Sequence, residues 1–391
     1  MLPLARPGAD VQKPDLRSLS QEELAQFVAK LGEKPYRARQ LYSWLHKKGA
    51  PSFEAMTDLP RPFRERLAEE TSLSTLRIDA VQQSADGTRK YRLQTADGKF
   101  VEAVYMPDVA GPEAFDPDAE ELGEPGEGSN LRGGRGADAE SDSRVRRTLC
   151  VSTQVGCAMG CGFCMTATMG LVRNLTAGEI CDQVYRVNED LRANGIASER
   201  PLTNLVYMGM GEPLHNYANV LRSLSLLVSE EGANFSHRHI TVSTSGLVPN
   251  ILKFAEETQV KLAVSLNATT DEARAKLMPV DKKWNIAALM EAIRKFPSKQ
   301  GRRVTFEYVL LRGVNDSDED AQRLAELVRG LQAKVNLIPY NENPGLGFGD
   351  PGAERVQAFR KQLVSRGVTA LVRKNRGRDI AAACGQLAVQ R

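Results

Sequence analysis

Residues 148–164 read Thr-Leu-Cys-Val-Ser-Thr-Gln-Val-Gly-Cys-Ala-Met-Gly-Cys-Gly-Phe-Cys, with cysteines at positions 150, 157, 161 and 164. The first part of this run is rich in β-branched and apolar residues, which predicts a strand over Thr148–Thr153. The second part is a glycine-containing loop that carries Cys157, Cys161 and Cys164 in the spacing CxxxCxxC. In α/β proteins, functional groups concentrate on loops that follow strands, so the cysteine loop just after this strand is the candidate site.

Strands and helices alternate from this point towards the C-terminus. Further strands are predicted at Asn204–Met208, His239–Ser243, Lys261–Leu266, Val304–Leu310 and Ala333–Ile338. Helices are predicted at Ala177–Ala193, Tyr217–Ser229, Val248–Glu257, Asn285–Phe296, Asp318–Gly330 and Ala353–Arg366. About six βα units indicate a parallel sheet, which is either doubly wound or curled into an incomplete barrel. The pattern does not choose between these two arrangements.

The sequence pattern divides the chain into four parts. They are a helical domain over 1–72, a short antiparallel β linker over 73–107, an acidic insertion over 108–143 and the α/β region over 144–391. Ser20 and Glu23 form a capping-box pattern before the first helix, and Asp-Gly pairs at 86–87 and 97–98 predict hairpin turns. The insertion has eleven acidic residues, two arginines and a single aromatic residue. We expect it to be disordered, because it cannot bury enough apolar surface. We expect it to loop out rather than to mimic RNA on the basic face, because loops of this kind cost little closure entropy.

Composition excludes several classes of protein. Of the 391 residues, 41% are hydrophobic and 26% are charged, and no run approaches the roughly 18–20 apolar residues that span a membrane. We expect a cytoplasmic protein with reduced cysteines and no membrane partner. The net charge of +3 includes −9 from the insertion, so the remainder carries +12. This charge favours a polyanionic partner such as nucleic acid, although a solvated basic face is an alternative.

The three closely spaced cysteines carry the strongest chemical signal. Three thiolates on a short loop suit a cubane iron–sulfur cluster, and they leave one iron open to a further ligand. A structural zinc site is the alternative, but it usually needs a fourth cysteine or histidine, commonly in paired CxxC spacing. The four histidines of the chain form no such pattern. The spacing therefore favours the cluster.

Two motifs together resemble a known family. The run from Thr148 to Cys164 and the C-terminal run Ala383-Cys-Gly-Gln-Leu387 are similar to those of the RlmN/Cfr family, the radical S-adenosylmethionine (SAM) RNA adenine methyltransferases. The resemblance extends from about residue 15 to Leu387, interrupted by the acidic insertion. It implies an incomplete (βα)6-type radical SAM barrel with an N-terminal helical accessory RNA-binding domain. It also implies a [4Fe-4S] cluster held by the three cysteines, with SAM on the open iron.

The resemblance also implies which residues bind SAM. They are Gly211, Glu212, Ser243, Ser265, Leu266, Asn267 and Asn341. These residues lie at or just after the carboxyl ends of four predicted strands, as the ligand contacts around a barrel mouth would. Serine and asparagine are common turn residues, so each of these residues alone is weak evidence for a SAM site. Asn267 stands where many members carry histidine, which leaves its side-chain contact open while its backbone can still serve.

The family's reaction assigns roles to two further cysteines and one glutamate. Cys384 resembles the residue that accepts a methyl group from a first SAM, and the radical from a second SAM then abstracts hydrogen from this S-methyl group. The resulting carbon radical adds to adenine. Cys150 resembles the resolving thiol, which forms a disulfide with Cys384 and releases the methylated base. Glu102 resembles the proton acceptor of the family, although the strand pattern alone predicts a glutamate on the exposed face.

The resemblance predicts partners and leaves two alternatives. The expected substrates are an adenosine of 23S ribosomal RNA (rRNA) and an adenosine in the tRNA anticodon loop, both methylated at carbon-2. An electron donor such as flavodoxin, a thiol reductant and a monomeric state are expected. The first alternative is carbon-8 methylation of the same rRNA adenosine, with the same cysteines. The second is a non-catalytic RNA-binding protein with a structural metal.

Overall fold

The structure is a computed structural model that describes residues 13–107, 146–196, 201–297, 302–343 and 345–388. The acidic insertion predicted over 108–143 lies outside the described residues. Among those that are described, every helix is too short or too polar to cross a bilayer.

The N-terminal part begins with three helices, as predicted. They are α1 (Gln21–Lys30), α2 (Pro35–Tyr42) and α3 (Arg61–Glu70). The capping box is present, because the Ser20 hydroxyl accepts from the Glu23 N–H and the Glu23 carboxylate accepts from the Ser20 N–H. Helix α2 continues into a π-helical turn over Ser43–Lys47, which periodicity did not predict.

One ten-stranded sheet runs through the molecule. The strands of the molecule, in chain order, are β1 (Arg77–Gln83), β2 (Arg89–Gln94), β3 (Phe100–Met106), β4 (Thr148–Cys150), β5 (Gln154–Gly156), β6 (Leu171–Asn174), β7 (Asn204–Tyr207), β8 (Ile240–Thr244), β9 (Lys261–Ser265), β10 (Val304–Leu310), β11 (Ala333–Pro339) and β12 (Ala370–Val372). Strands β5 and β6 form a separate two-stranded sheet, and the other ten form the large sheet. The order is β1-β2-β3-β4-β7-β8-β9-β10-β11-β12. Strands β4 to β12 in this sheet are parallel, and β1 to β4 pair antiparallel.

Helices cover the parallel part of the sheet. They are α4 (Met165–Thr168), α5 (Ala177–Ala193), α6 (Tyr217–Val228), α7 (Val248–Glu257), α8 (Asp271–Leu277), α9 (Ile286–Lys295), α10 (Asp318–Val328) and α11 (Ala353–Val364). The α/β class and the parallel sheet are confirmed. The six predicted parallel strands are all present, and β12 is a seventh that the sequence pattern missed. Strands β1–β3 correspond to the predicted β linker. They extend the same sheet, because β3 pairs with β4, so the linker is continuous with the barrel.

A buried ion pair joins the N-terminal helical part to the barrel. Arg17 and Asp182 of α5 are both fully buried, and their side chains form a salt bridge. The second oxygen of Asp182 accepts from the Leu76 N–H at 2.6 Å, and the Arg17 guanidinium donates to the Ala50 carbonyl at 2.6 Å. Each charge therefore has a partner inside the protein, which is the condition under which burying charges is tolerated.

The first prediction concerns this pair. We expect Asp182→Ala to lower the free energy of unfolding by about 3–5 kcal/mol, because it leaves the Arg17 charge buried without its counter-ion. Denaturant unfolding followed by circular dichroism measures the change. Glu65→Ala is the matched control, because its pair with Arg61 is exposed to solvent and should contribute little to stability. Equally small losses in both variants would contradict the prediction.

Candidate active site

A cavity at the carboxyl ends of the parallel strands brings the two proposed reactive cysteines together. We call it the cysteine cavity, and its lining includes Val104, Met106, Cys150, Met208, Arg373 and Cys384. The carboxyl edge of parallel strands is where α/β folds place their sites, because the loops there converge. Cys150 and Cys384 are 234 positions apart in the chain, so only the fold brings them to one cavity.

Cys150 is the last residue of β4, and it is nearly fully buried. Its strand pairs with β3 on one side, where Cys150 is opposite Val104, and with β7 on the other, where it is opposite Val206. Burial raises the pKa of the Cys150 thiol to about 12, the neighbouring Cys384 raises it as well, and the Arg373 guanidinium opposes the shift. A thiol in this setting stays protonated and inert until a nearby charge or reaction step activates it.

Cys384 lies on the C-terminal segment (residues 373–388), which folds back over the cysteine loop. The Met165 N–H donates to the Gly385 carbonyl at 2.8 Å, and the Thr166 hydroxyl donates to the Leu387 carbonyl at 2.5 Å. Both donors directly follow Cys164. Cys384 also raises the pKa of Cys164 and that of Cys150, although burial is the larger cause for each. Cys384 therefore lies between the CxxxCxxC loop and Cys150.

The turn of the first hairpin holds the other end of this segment. The Gly377 N–H donates to the Asp86 carboxylate at 3.1 Å, and the Asp379 carboxylate accepts from the Ala85 N–H at 3.3 Å. Gly377 has a φ of +59°, and a Cβ there would lie 2.8 Å from the Cβ of Ala382. The Asp-Gly turn, predicted only as a hairpin signal, therefore also orients the Cys384 segment.

The CxxxCxxC loop is held by main-chain hydrogen bonds. The Cys157 N–H donates to the Gly170 carbonyl at 2.9 Å, and the Gly162 N–H donates to the Leu277 carbonyl at 2.9 Å. Gly170 directly precedes β6, and β5 and β6 form the short hairpin that frames the loop. Burial raises the pKa of all three thiols, that of Cys157 to about 12, and neighbouring cysteines add to each shift. The three thiols therefore share one low-dielectric pocket of negative charge when ionised, which a cationic cluster would stabilise.

The donor set fits an iron–sulfur cubane. Within the described ranges, no group of three His, Cys, Asp or Glu residues is placed to hold one metal ion. Cysteines that hold a cubane bind different iron atoms, so they do not have to converge on a single point. Three partly exposed thiols on one loop, with the strand ends of the barrel beside them, are consistent with a cluster that keeps one iron open.

Gly211 and Glu212 follow β7 at the same edge of the sheet. Gly211 has a φ of +99°, and a Cβ there would lie 2.6 Å from the Cβ of Gln154, so only glycine fits. The buried Glu212 carboxylate accepts from the N–H groups of Leu214 at 3.0 Å and Ser245 at 2.7 Å. Burial raises the pKa of Glu212, and these hydrogen bonds oppose the shift. A buried carboxylate fixed in this way can accept a ligand ammonium group.

The other predicted SAM contacts follow β8, β9 and β11. Ser243 lies in β8, Ser265 ends β9, and the Leu266 side chain is buried in the core. The Asn267 side chain is used internally: its oxygen accepts from the Val309 N–H at 2.8 Å and its amide nitrogen is 3.2 Å from the Met278 sulfur. Its backbone carbonyl also accepts, from the Asn315 amide at 2.8 Å, so a ligand contact at Asn267 stays a prediction.

Asn341 follows β11 and has one polar atom without a partner. Its side-chain oxygen accepts from the Arg378 guanidinium at 2.6 Å, whereas its buried amide nitrogen has no hydrogen-bond partner. A buried unpaired donor is energetically costly, and a bound ligand would satisfy it. This observation favours a ligand contact at Asn341.

Glu102 lies on β3, two residues from Val104. Residues two apart share a strand face, so Glu102 is on the face that Val104 and Met106 present to the cysteine cavity. One carboxylate oxygen is 3.7 Å from the Lys90 ammonium, and the other is buried without a hydrogen-bond partner. Burial raises the pKa of Glu102, and Lys90 opposes the shift. The glutamate is 5% exposed, which excludes the exposed-face reading.

Two further charged residues, Glu307 and Arg373, lie beside the cysteines, and sequence reasoning missed the first of them. Glu307 is buried in β10 and accepts from the Asn336 amide at 3.1 Å. Arg373 follows β12, and its N–H donates to the Leu337 carbonyl at 2.8 Å. The negative charge of Cys384, followed by that of Glu307, raises the pKa of Arg373. The single acid in the apolar strand Val304–Leu310 was the signal that could have revealed Glu307.

All six cysteines lie within the described residues, and all are free thiols. The disulfide expected between Cys150 and Cys384 is therefore not present in this structure. A resting pair of thiols is consistent with a role in which Cys384 must first accept a methyl group. Cys181 is buried in α5 with its sulfur 3.8 Å from the Ser223 carbonyl, and it packs in the hydrophobic core.

Comparisons with known proteins cover nearly the whole chain. Residues 14–73 match the family described as "Ribosomal RNA large subunit methyltransferase N-terminal domain", and residues 151–325 match the "Radical SAM superfamily". The "Dual-specificity RNA methyltransferase RlmN" of Anaeromyxobacter dehalogenans (strain 2CP-C) is 59% identical over 378 residues, which are 96% of this chain and 92% of that protein. The "Dual-specificity RNA methyltransferase RlmN 2" of Myxococcus xanthus (strain DK1622) is 55% identical over 388 residues, 99% of this chain and 93% of that protein.

A solved structure supports the same relationship. The crystal structure of a radical SAM methyltransferase from Sphaerobacter thermophilus matches with a TM-score of 0.82 and 45% sequence identity. The match covers 96% of this chain and 99% of that one. The predicted family and fold are thereby confirmed. The chain belongs to the RlmN family of dual-specificity RNA methyltransferases, within the radical SAM superfamily.

Proposed function

We propose that this chain methylates carbon-2 of an adenosine in 23S rRNA and carbon-2 of an adenosine in the tRNA anticodon loop. The observation that carries the proposal is the position of Cys384, which shares a cavity with Cys150 while its segment is hydrogen-bonded to the loop of Cys157, Cys161 and Cys164. A methyl carrier must meet both the source of the radical and the thiol that releases the product. This position satisfies both requirements.

The same edge of the sheet supplies the groups that hold the cofactors. Cys157, Cys161 and Cys164 would hold the [4Fe-4S] cluster, which with SAM supplies the radical that activates the S-methyl group. Gly211 lets the main chain pass close to Gln154, and the Glu212 carboxylate that follows would accept hydrogen bonds from the SAM ammonium group. Ser243, Ser265, Leu266, Asn267 and Asn341 would complete the site. Two SAM molecules are used per turnover, one as methyl donor and one as radical source.

Arg373 and Cys384 would prepare the methyl carrier. The thiolate is the nucleophile in displacement at a methyl group, so Cys384 must lose its proton. The Arg373 guanidinium lines the same cavity and would pair with this thiolate during the displacement. Attack by the thiolate forms the sulfur–methyl bond and breaks the methyl–sulfonium bond of the first SAM.

Cys150 and Glu102 would release the product from the covalent adduct. Addition of the carbon radical leaves one unpaired electron on the adduct, and the cluster would supply the acceptor for it. Glu102 would accept the proton from adenine carbon-2, using the carboxylate oxygen that has no hydrogen-bond partner. The Cys150 thiolate attacks the Cys384 sulfur, so that a transient disulfide forms and the bond from this sulfur to the methylene carbon breaks. The released carbon takes up a proton and becomes the methyl group. A thiol reductant then returns both cysteines to thiols.

The remaining assignments concern partners and surroundings. The N-terminal helices would serve as the accessory RNA-binding module, and the target adenosine would be unstacked and flipped to reach the cavity. We propose an electron donor such as flavodoxin, a monomeric state and a cytoplasmic location.

The position of the methyl group on adenine is tested by digesting the RNA product. The protein is reconstituted with iron and sulfide under anaerobic conditions, and incubated with SAM, dithionite and separate rRNA and tRNA substrates. We expect mass spectrometry of the digested RNA to show 2-methyladenosine from both. Finding 8-methyladenosine would replace the proposal with the carbon-8 alternative. Zinc in the purified protein with no cleavage of SAM would favour the non-catalytic alternative.

The role of Cys150 has its own test. We expect Cys150→Ala to accumulate protein covalently attached to RNA, because the adduct forms but cannot be resolved. Denaturing gel electrophoresis followed by nuclease treatment measures the trapped fraction. Cys181→Ala is the matched control, since Cys181 is a second buried cysteine outside the cavity, and it should trap nothing. If Cys150→Ala releases free methylated RNA at the same rate as the protein without the substitution, Cys150 does not resolve the adduct.

The raised pKa of Glu102 predicts a pH dependence. A proton acceptor works only when ionised, so product release should be complete at high pH and should fall as pH decreases through the raised pKa. Lys90→Gln removes the cation that lowers the pKa of Glu102, so the fall in product release on the acidic side, the acid limb of the pH profile, should move to higher pH. Single-turnover release of methylated RNA across a pH series measures the limb. An unchanged limb in Lys90→Gln would contradict the assignment.

A further inference from the structure

Helix α8 carries a fully buried arginine, Arg274, that joins the loops of the proposed SAM site. Each of the three nitrogens of its guanidinium group donates a hydrogen bond. We propose that Arg274 is a positioning residue for SAM, which acts through the main chain of the loops after β8 and β9 and holds them in the arrangement that the cofactor needs. This role rests on the proposed function, from which the SAM contacts are taken.

The loop after β9 is held at three successive carbonyl groups. Nε of Arg274 donates to the Leu266 carbonyl at 3.0 Å, and one terminal nitrogen donates to the Ser265 carbonyl at 3.1 Å. The next carbonyl, that of Asn267, accepts from the buried Asn315 amide at 2.8 Å. Asn267 has a φ of +56°, a left-handed conformation that is uncommon outside glycine and persists only where surrounding contacts hold it. Two buried side chains therefore fix the backbone of this loop.

The loop after β8 is held by the same guanidinium. The terminal nitrogen that contacts Ser265 also donates to the Ser245 carbonyl at 2.7 Å. The Ser245 N–H donates to the Glu212 carboxylate at 2.7 Å, so Ser245 connects Arg274 to the proposed acceptor of the SAM ammonium group. Gly246 follows with a φ of +113°, and a Cβ there would lie 3.1 Å from the Arg274 guanidinium. Glycine suits this conformation and lets the loop pass close to the guanidinium.

Helix α8 also contacts the cysteine loop. The Leu277 carbonyl, at the end of the helix, accepts from the Gly162 N–H at 2.9 Å, and Gly162 lies between Cys161 and Cys164. One helix therefore holds the proposed cluster loop through its last carbonyl and both SAM loops through Arg274. A single SAM molecule has to meet all three loops, so fixing them beforehand lowers the cost of binding it.

The charge of Arg274 has its counter-ion inside the protein. The remaining terminal nitrogen donates to the Asp281 carboxylate at 2.9 Å, and both side chains are buried. A planar guanidinium donates in several fixed directions, whereas a lysine ammonium is a compact point charge. Arg274→Lys therefore keeps the positive charge opposite Asp281 but removes the fork that joins the two SAM loops.

The first test measures binding of S-adenosylhomocysteine to the reconstituted holoprotein by calorimetry. This probe keeps the nucleoside, ammonium and carboxylate groups of SAM, but it has no methyl group to transfer. We expect Arg274→Lys to weaken binding by about tenfold, because the loops are then correctly arranged only about a tenth of the time. In the methylation assay, the KM for SAM should rise while kcat at saturating SAM stays within about twofold.

Arg302→Lys is the matched control. The Arg302 guanidinium also donates to main-chain carbonyls, those of Ala255 and Val260, but it lies just before β10, at the amino ends of the parallel strands. This variant should bind the probe as the protein without the substitution does. An equal loss in Arg302→Lys and Arg274→Lys, or a fall in kcat without a rise in KM, would indicate general destabilisation and overturn the positioning role.

Glu212→Gln separates this role from the proposed SAM site itself. If Glu212→Gln weakens binding of the probe and Arg274→Lys does not, the SAM site stands and the role of Arg274 is overturned. If Glu212→Gln binds the probe unchanged, the proposed SAM site is wrong, and the role of Arg274 is overturned with it.

A second measurement needs no substitution, so it applies even if Arg274→Lys fails to fold. Hydrogen exchange of the holoprotein is followed by mass spectrometry of peptides that span 243–247 and 264–268. We expect the N–H groups of Ser245 and Leu266 to be protected before any ligand is added, and S-adenosylhomocysteine to add little protection. Fast exchange that slows only after the probe is added would show that the ligand orders the loops, which overturns the inference.

Discussion

The arrangement of the site depends on the pairing of β4. This strand has only three residues, yet it pairs antiparallel with β3 on one side and parallel with β7 on the other. The first pairing brings the strand of Glu102 beside Cys150, and the second fixes Cys150 at the carboxyl edge of the barrel. The chain then leads within seven residues to Cys157. The proton acceptor, the resolving thiol and the cluster loop are therefore all positioned by one short strand.

Burial of charge is the second constraint at the site. Glu102, Glu212 and Glu307 are all buried, and burial raises the pKa of each. Each has a different compensating group: Lys90 for Glu102, main-chain N–H groups for Glu212, and Arg373 with Asn336 for Glu307. Because these compensations differ, each carboxylate suits a different task. Glu102 and Glu307 each keep one unpaired oxygen, and that of Glu102 suits proton transfer because its strand face borders the cysteine cavity, whereas the two hydrogen bonds to Glu212 suit a fixed ligand contact.

Much of the fold could be predicted from local sequence patterns. The bounds predicted for α5 and α7 are those observed, because each helix has a clear apolar periodicity, and α5 also has a capping box at Thr176 and Glu179. Strands β5, β6 and β12 were missed because three or four residues carry too little periodicity. The continuity of β3 with β4 could not be predicted, because the acidic insertion separates these strands in the sequence.

The candidate site shows the same division. Cysteine spacing and the family resemblance predicted the five cysteines of the site, which are Cys157, Cys161, Cys164, Cys150 and Cys384. The buried setting of Glu102 and the position of the Arg373 charge beside the thiols depend on long-range packing, so they could not be predicted.

The placement of Cys384 beside Cys150 is the central claim, and peptide mapping after mild oxidation by diamide tests it most directly. The account predicts a disulfide between Cys150 and Cys384, with Cys181 remaining reduced. Cys150 remaining a free thiol while Cys384 pairs elsewhere or not at all would contradict it.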